Sequence, residues 1–135
     1  MDIAMIDDNS TTLKLVEIKL KANGAIKEDD VFFKYTNAVS FFRDYDAGKY
    51  FDLIIVDHDL GIGVTWGYEI IMILNSSGYT RKSVLFTSDE TAELKSNVSH
   101  VNAEYVSKRS SGDYDPYERL AGLIEEVRLN NKDVK

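Results

Sequence analysis

The stretch Leu53-Ile54-Ile55-Val56-Asp57-His58-Asp59-Leu60-Gly61 (LIIVDHDLG) runs four apolar residues straight into two carboxylates. The apolar half reads as a strand, and its unbroken hydrophobicity suits a sheet covered on both faces. An isolated buried carboxylate is costly, so Asp57 and Asp59 at the end of such a strand need a partner or a task.

Working outward, apolar runs alternate with helical patterns. Ile3–Ile6, VFFKY (31–35), SVLFT (83–87) and AEYVS (103–107) read as four more strands. Between the first two, Leu13, Val16 and Leu20 mark a helix face. Ser10, Thr11 and Thr12 are candidate N-caps, and Gly24 is a C-terminal stop. Asn37 caps a second helix carrying Val39, Phe42 and Tyr45. A third, from Gly67 to Asn75, carries Ile70, Ile71, Ile73 and Leu74. A polar fourth is anchored only by Ala92, Leu94 and Val98. The fifth opens with Asp115, Pro116 and Glu118, and buries Leu120, Leu123, Ile124 and Val127 at helical spacing. The expectation is one domain over residues 1–130 and a polar tail over 131–135.

Strands alternating with helices predict an α/β fold on a parallel sheet. Ligands in such folds bind beyond the carboxyl ends of the strands. Those ends carry Asp7-Asp8, Asp57 with Asp59 just beyond, Thr87-Ser88, and Lys108.

Composition narrows the classes. The 135 residues hold 16 Lys and Arg against 23 Asp and Glu, a net charge of −7, which disfavours a nucleic-acid surface. Hydrophobic residues make up 44%, enough for a core, and the absence of Cys excludes disulfides and thiolate metal sites. No apolar run approaches a membrane span, and the start MDIAMIDD lacks a basic signal region. A cytoplasmic protein is expected.

The strand-end residues form a chemical set. Crowded carboxylates repel and raise one another's pKa, and a divalent cation relieves this. Oxygen ligands in an aqueous cleft favour Mg²⁺, which shares its shell with phosphate. Lys108 supplies positive charge and Thr87 a hydroxyl donor. Phosphoryl transfer needs mainly positioning and charge neutralisation. Asp57, ending the central strand, is the best-placed carboxylate nucleophile.

The four segments AMIDDNS, LIIVDHDL, VLFTSDE and EYVSKRS, in this order, resemble the receiver domain of two-component response regulators over Asp2 to about Leu129. The resemblance implies a flavodoxin-like three-layer, doubly wound fold with strand order 2-1-3-4-5. It implies that Asp57 is the phosphoacceptor, that Asp8 binds Mg²⁺ directly, and that Asp7 holds metal waters. Asp59 matches the position whose backbone carbonyl completes the metal shell. Thr87 and Tyr105 match the two switch residues, and Ser88 fills a usually small position. Asp59 and Asp89 match positions that border the attacking water and modulate acyl-phosphate lifetime. The implied partners are a histidine kinase or phosphotransfer protein, and a downstream protein bound on the face of the fourth helix, fifth strand and fifth helix. Neither nucleic acid nor membrane is an expected partner.

Two departures stand out. The family usually has Pro after the lysine, where this chain has Arg109 and Ser110. A cis bond there would cost roughly 3–4 kcal/mol, so a trans bond or a strained loop is expected. GIGVTW (61–66) is also longer than the family's usual loop, with Val64 and Trp66 placed to fold back as a lid.

Taken singly, the motifs have ordinary readings: Asp7-Asp8 as a helix-leading loop capped by Asn9 or Ser10, Tyr105 as strand filling. His58 is read as a neighbour of the site, and His100 receives no role. Two other functions compete. Asp57 and Asp59 also match the DxD of haloacid-dehalogenase-type phosphatases, although a complete βαβα precedes DxD here and Asp113 follows Lys108 by only five residues. The other is a receiver-like binding module that takes no phosphate.

Overall fold

The computed structural model describes residues 1–61 and 66–133. Five strands, β1 (Asp2–Ile6), β2 (Val31–Tyr35), β3 (Leu53–Val56), β4 (Lys82–Thr87) and β5 (Glu104–Ser107), form one parallel sheet in the order β2-β1-β3-β4-β5. Each strand is followed by a helix: α1 (Ser10–Ala22), α2 (Ala38–Asp46), α3 (Gly67–Ser76), α4 (Ala92–Val98) and α5 (Pro116–Asp133). The order reverses between β1 and β3, which places a crevice at their carboxyl ends.

Successive strand residues point to opposite faces, so each strand feeds two cores. Ile3 and Met5 of β1 and Leu53 and Ile55 of β3 pack with Leu13, Val16, Leu20, Leu120, Leu123 and Ile124 from α1 and α5. Ala4, Ile6, Ile54 and Val56 pack on the other side with Phe41, Ile70, Ile71, Leu74, Leu94 and Val98 from α2, α3 and α4. All eight strand residues are fully buried, and each large one among them contributes about 1.5–3 kcal/mol of apolar transfer. Double coverage is why β3 carries no polar residue before its end. Among the described residues no helix is long and apolar enough to cross a membrane.

Several local expectations need correction. In α2 the buried side chain is Phe41, while Val39 is 81% exposed. Phe41 stacks on Phe51 and meets Tyr35 edge-on, and this aromatic cluster sets the rotation of the helix. Ile73 of α3 and Ala92 of α4 face solvent, leaving Leu94 and Val98 as the buried residues of α4. β5 begins at Glu104, one residue later than expected. α5 continues past Asn130, because Asn131 accepts from Arg81 Nη1 at 2.8 Å and donates to Asp52 Oδ1 at 3.0 Å. The Lys108–Arg109 bond, by contrast, is trans, one of the two outcomes expected for it.

The cap of α1 is Asn9, not Ser10, Thr11 or Thr12. Its Oδ1 accepts from Thr11 N at 2.9 Å and Thr12 N at 3.1 Å. Asn9 N in turn donates to Asp7 Oδ1 at 2.9 Å, so the cap and the strand-end carboxylate are one structure. Asn9→Ala is expected to cost about 1 kcal/mol in chemical denaturation, and Ser10→Ala close to nothing.

Candidate functional site

Parallel register gathers the strand-end groups. Ile6 pairs with Val56, so Asp7 and Asp57 emerge side by side. Asp57 N donates to Ile6 O at 2.9 Å, extending the ladder by one bond. Thr87 pairs with Ser107, and Lys108 N donates to Thr87 O at 2.9 Å. Backbone pairing therefore brings residues as far apart as Asp7 and Lys108 to one edge.

Asp7, Asp8 and Asp57 each offer a carboxylate oxygen within 4.8 Å of the others. Opposite oxygens around one octahedral Mg²⁺ lie roughly 4.2 Å apart, so the set fits a hard divalent cation after a small closure. Lys108 Nζ lies 3.0 Å from Asp7 Oδ2 and 3.4 Å from Asp57 Oδ1, partly offsetting the negative charge. Burial pushes the Asp57 carboxyl up to about 6. The neighbouring Asp7 and Asp8 carboxylates add to the rise, and Lys108 opposes it. The three acids and Lys108 line an open cleft of about 620 Å³ together with Asn9, Thr12, His58, Asp59, Trp66, Thr87, Ser88, Asp89 and Arg109.

The floor beside Asp57 is set by Gly67, the first residue of α3. Its N donates to His58 O at 2.8 Å. A Cβ there would stand 2.7 Å from Asp57 C and from His58 Cα, and closer still to Asp57 O. Only a glycine lets the helix start so near the end of β3. Trp66 stacks on His58 with ring centroids 4.9 Å apart, and Tyr68 N donates to His58 Nδ1 at 3.3 Å. Burial holds the His58 pKa below its ordinary value, which favours the neutral ring whose Nδ1 accepts.

The loop after β4 is tied to β5 by side chains. Tyr105 Oη donates to Asp89 O at 2.6 Å, Ser107 Oγ to Glu90 Oε1 at 2.6 Å, and Arg109 Nε to Ser88 O at 2.9 Å. Thr87 is 2% exposed, and its Oγ1 accepts from Asp89 N at 3.1 Å, leaving the hydroxyl proton for another acceptor.

Solved structures share this arrangement of strands and helices. A response regulator receiver domain protein (CheY-like) from Methanospirillum hungatei JF-1 superposes with a TM-score of 0.75 at 17% identity, over 98% of this chain and 97% of that one. The N-terminal domain of a response regulator/sensory box/GGDEF 3-domain protein from Carboxydothermus hydrogenoformans gives 0.75 at 20% identity, over all of both chains. A response regulator receiver domain protein from Clostridium thermocellum gives 0.77 at 17% identity, over 99% and 98%. This chain has the receiver-domain fold. No family model and no curated protein matches the sequence itself.

In this receiver fold, Asp7, Asp8, Asp57, Thr87 and Lys108 share one cleft. Asp59 lines the cleft but lies outside the acidic trio, and its Oδ1 accepts from Gly61 N at 3.2 Å. Ser88 is exposed, and Asp89 turns its carboxylate to Thr91 N at 3.0 Å. Tyr105 is half-buried against the loop after β4. Trp66 reaches the cleft, while Val64 lies outside the described residues. Sequence reasoning missed what Gly67 and Arg109 do. Gly67 shows only as a helix-start glycine, and Arg109 only as an absent proline.

Proposed function

We propose that this chain is a response regulator receiver that accepts a phosphoryl group on Asp57 from a phosphohistidine of a kinase or phosphotransfer protein. The observation that carries this reading is the convergence of Asp7, Asp8 and Asp57 on one cluster with Lys108 bridging two of them. An Asp57 carboxylate oxygen attacks phosphorus, the P–N bond to the donor imidazole breaks, and its electron pair returns to the ring. The product is an acyl phosphate. Lys108 and the Thr87 hydroxyl stabilise the charge on the transferring oxygens. Asp7, Asp8, Asp57 and the Asp59 carbonyl would hold Mg²⁺, which supplies further neutralisation when bound.

Output follows from the ties between β4 and β5. If Thr87 turns its hydroxyl to the phosphoryl group, Asp89 N loses its acceptor and the loop carrying the Tyr105 bond repacks. Only Leu94 and Val98 of α4 are buried, so the α4-β5-α5 face can shift at small cost and present a changed surface to a protein target. Asp59 and Asp89 would tune the lifetime of the acyl phosphate. The phosphatase alternative needs the Asp59 carboxylate to act as catalytic acid, and that group is turned to Gly61 N.

Incubation with Mg²⁺ and acetyl phosphate is expected to add one phosphoryl group per chain by intact mass. Sustained turnover of a phosphate monoester would instead favour the phosphatase, and absence of labelling the binding module.

Metal binding should depend on pH with a defined sign. Because the Asp57 pKa is raised to about 6, a proton competes with the cation below that value. From about pH 7 to about pH 5, Mg²⁺ affinity is expected to fall about tenfold beyond any change in Asp57→Asn. Trp66, the single tryptophan, stands at the cleft and reports the titration by fluorescence. Equal pH dependence in both proteins would refute the assignment.

A further inference from the structure

Arg109 stands where the chain leaves β5, and its position has no use in the scheme above. Its backbone N donates to Ser107 Oγ at 3.1 Å, which pins the loop, and its Nε donates to Ser88 O at 2.9 Å. The side chain is exposed yet lines the same cleft as Asp57, Thr87 and Lys108. Among the described residues its two terminal nitrogens have no hydrogen-bond partner. A guanidinium is a rigid planar fork, so anchoring Nε fixes where the remaining donors point.

The cleft has an electrostatic need for such a group. Its lining carries five carboxylates, Asp7, Asp8, Asp57, Asp59 and Asp89, against two cations, Lys108 and Arg109. Lys108 is already engaged by Asp7 and Asp57, deep in the site. A phosphate-bearing donor therefore meets a surplus of negative charge before it reaches the nucleophile, and Arg109 is the lining cation that no carboxylate pairs with among the described residues, its Nε bonded to the Ser88 carbonyl.

We propose that Arg109 is a second anion anchor of the cleft, aimed by the Ser88 carbonyl, that captures the phosphate oxygens of the incoming donor ahead of transfer. This rests on the phosphoacceptor reading and adds a donor-binding residue to it. Arg109 acts on binding rather than on the bond-making step. Its contribution is a charge-assisted, bidentate contact made equally before and during transfer, which alters donor affinity and leaves the maximal rate nearly unchanged.

The test compares wild type with Arg109→Ala, Arg109→Gln and Arg109→Lys, using Mg²⁺ and acetyl phosphate. The half-saturating donor concentration is expected to rise about tenfold in the Ala and Gln variants and less than about threefold in Lys, with the rate at saturation changed less than about threefold. Added salt should weaken donor binding in wild type more steeply than in Arg109→Ala. Wild-type behaviour of Arg109→Gln, which keeps a donor for Ser88 O but no charge, would overturn the proposal in favour of a purely structural tie. An unchanged half-saturating concentration in Arg109→Ala would overturn it as well. If wild type is not labelled at all, the phosphoacceptor reading fails by itself. Inorganic phosphate, titrated against the Mg²⁺-loaded proteins and followed by Trp66 fluorescence, then decides the anchor. Binding about tenfold weaker in Arg109→Ala supports it, and equal binding overturns it.

Discussion

Asp57→Asn is expected to abolish phosphoryl incorporation while yielding a folded and, without metal, more stable protein. The amide keeps the shape of the side chain but lacks the nucleophilic oxygen and the negative charge that attracts a cation. The stability gain comes from the raised pKa. A carboxyl at about 6 in the folded state, against an ordinary 3.8, is disfavoured as an anion near neutral pH. The folded state binds the extra proton between those values, so Asp57 costs stability above about pH 6, and the cost vanishes below about pH 4. Two units correspond to about 3 kcal/mol, a net figure in which the attraction to Lys108 is already counted, and discounting it for solvent screening and local relaxation leaves an expected gain of about 1–2 kcal/mol. Denaturant unfolding of both proteins near neutral pH and in acid measures this, and intact mass after acetyl phosphate measures labelling. Labelling that survives Asp57→Asn would remove Asp57 as the acceptor.

Gly67→Ala is expected to cost about 3 kcal/mol and to slow labelling at Asp57, although the change adds one methyl at a site without obvious chemistry. The new Cβ meets backbone atoms of Asp57 and His58, and backbone cannot swing aside as a flexible side chain can. Relief requires α3 to withdraw from β3, which breaks the Gly67 N to His58 O bond and moves the carboxylate out of register with Asp7 and Lys108. Gly122, inside α5 with nothing within 4 Å of its would-be Cβ, is the control. There Gly→Ala should stabilise by about 0.5–1 kcal/mol through helix propensity. Equal effects at both positions in denaturant unfolding would show that the close approach at Gly67 is unimportant.

The elements that were legible in the sequence share a property. Each has a local signal strong enough to survive any tertiary arrangement. LIIV reads as a strand covered on both faces because every position is apolar. Leu120, Leu123, Ile124 and Val127 read as one helix face because the spacing is unbroken. The cap of α1 was harder, since Asn9, Ser10, Thr11 and Thr12 are all competent. The choice of Asn9 follows from the bond between its N and Asp7 Oδ1, a contact made after the strand has ended. Val39 misled because the burial of α2 is decided by an aromatic cluster drawn from β2, α2 and the approach to β3.

By itself, then, the sequence determined the alternation of strands and helices, the parallel sheet class, and the chemical types standing at the strand ends, because hydrophobic period and turn chemistry are properties of short segments. Tertiary structure decided which of those ends meet. The Ile6–Val56 and Thr87–Ser107 pairs are choices of register, and a shift of one residue would send Asp57 and Lys108 to opposite faces. The fit of Gly67 under Asp57 and the tie from Arg109 to Ser88 exist only once distant segments are packed. Nothing in the local pattern of either residue encodes the partner it will touch.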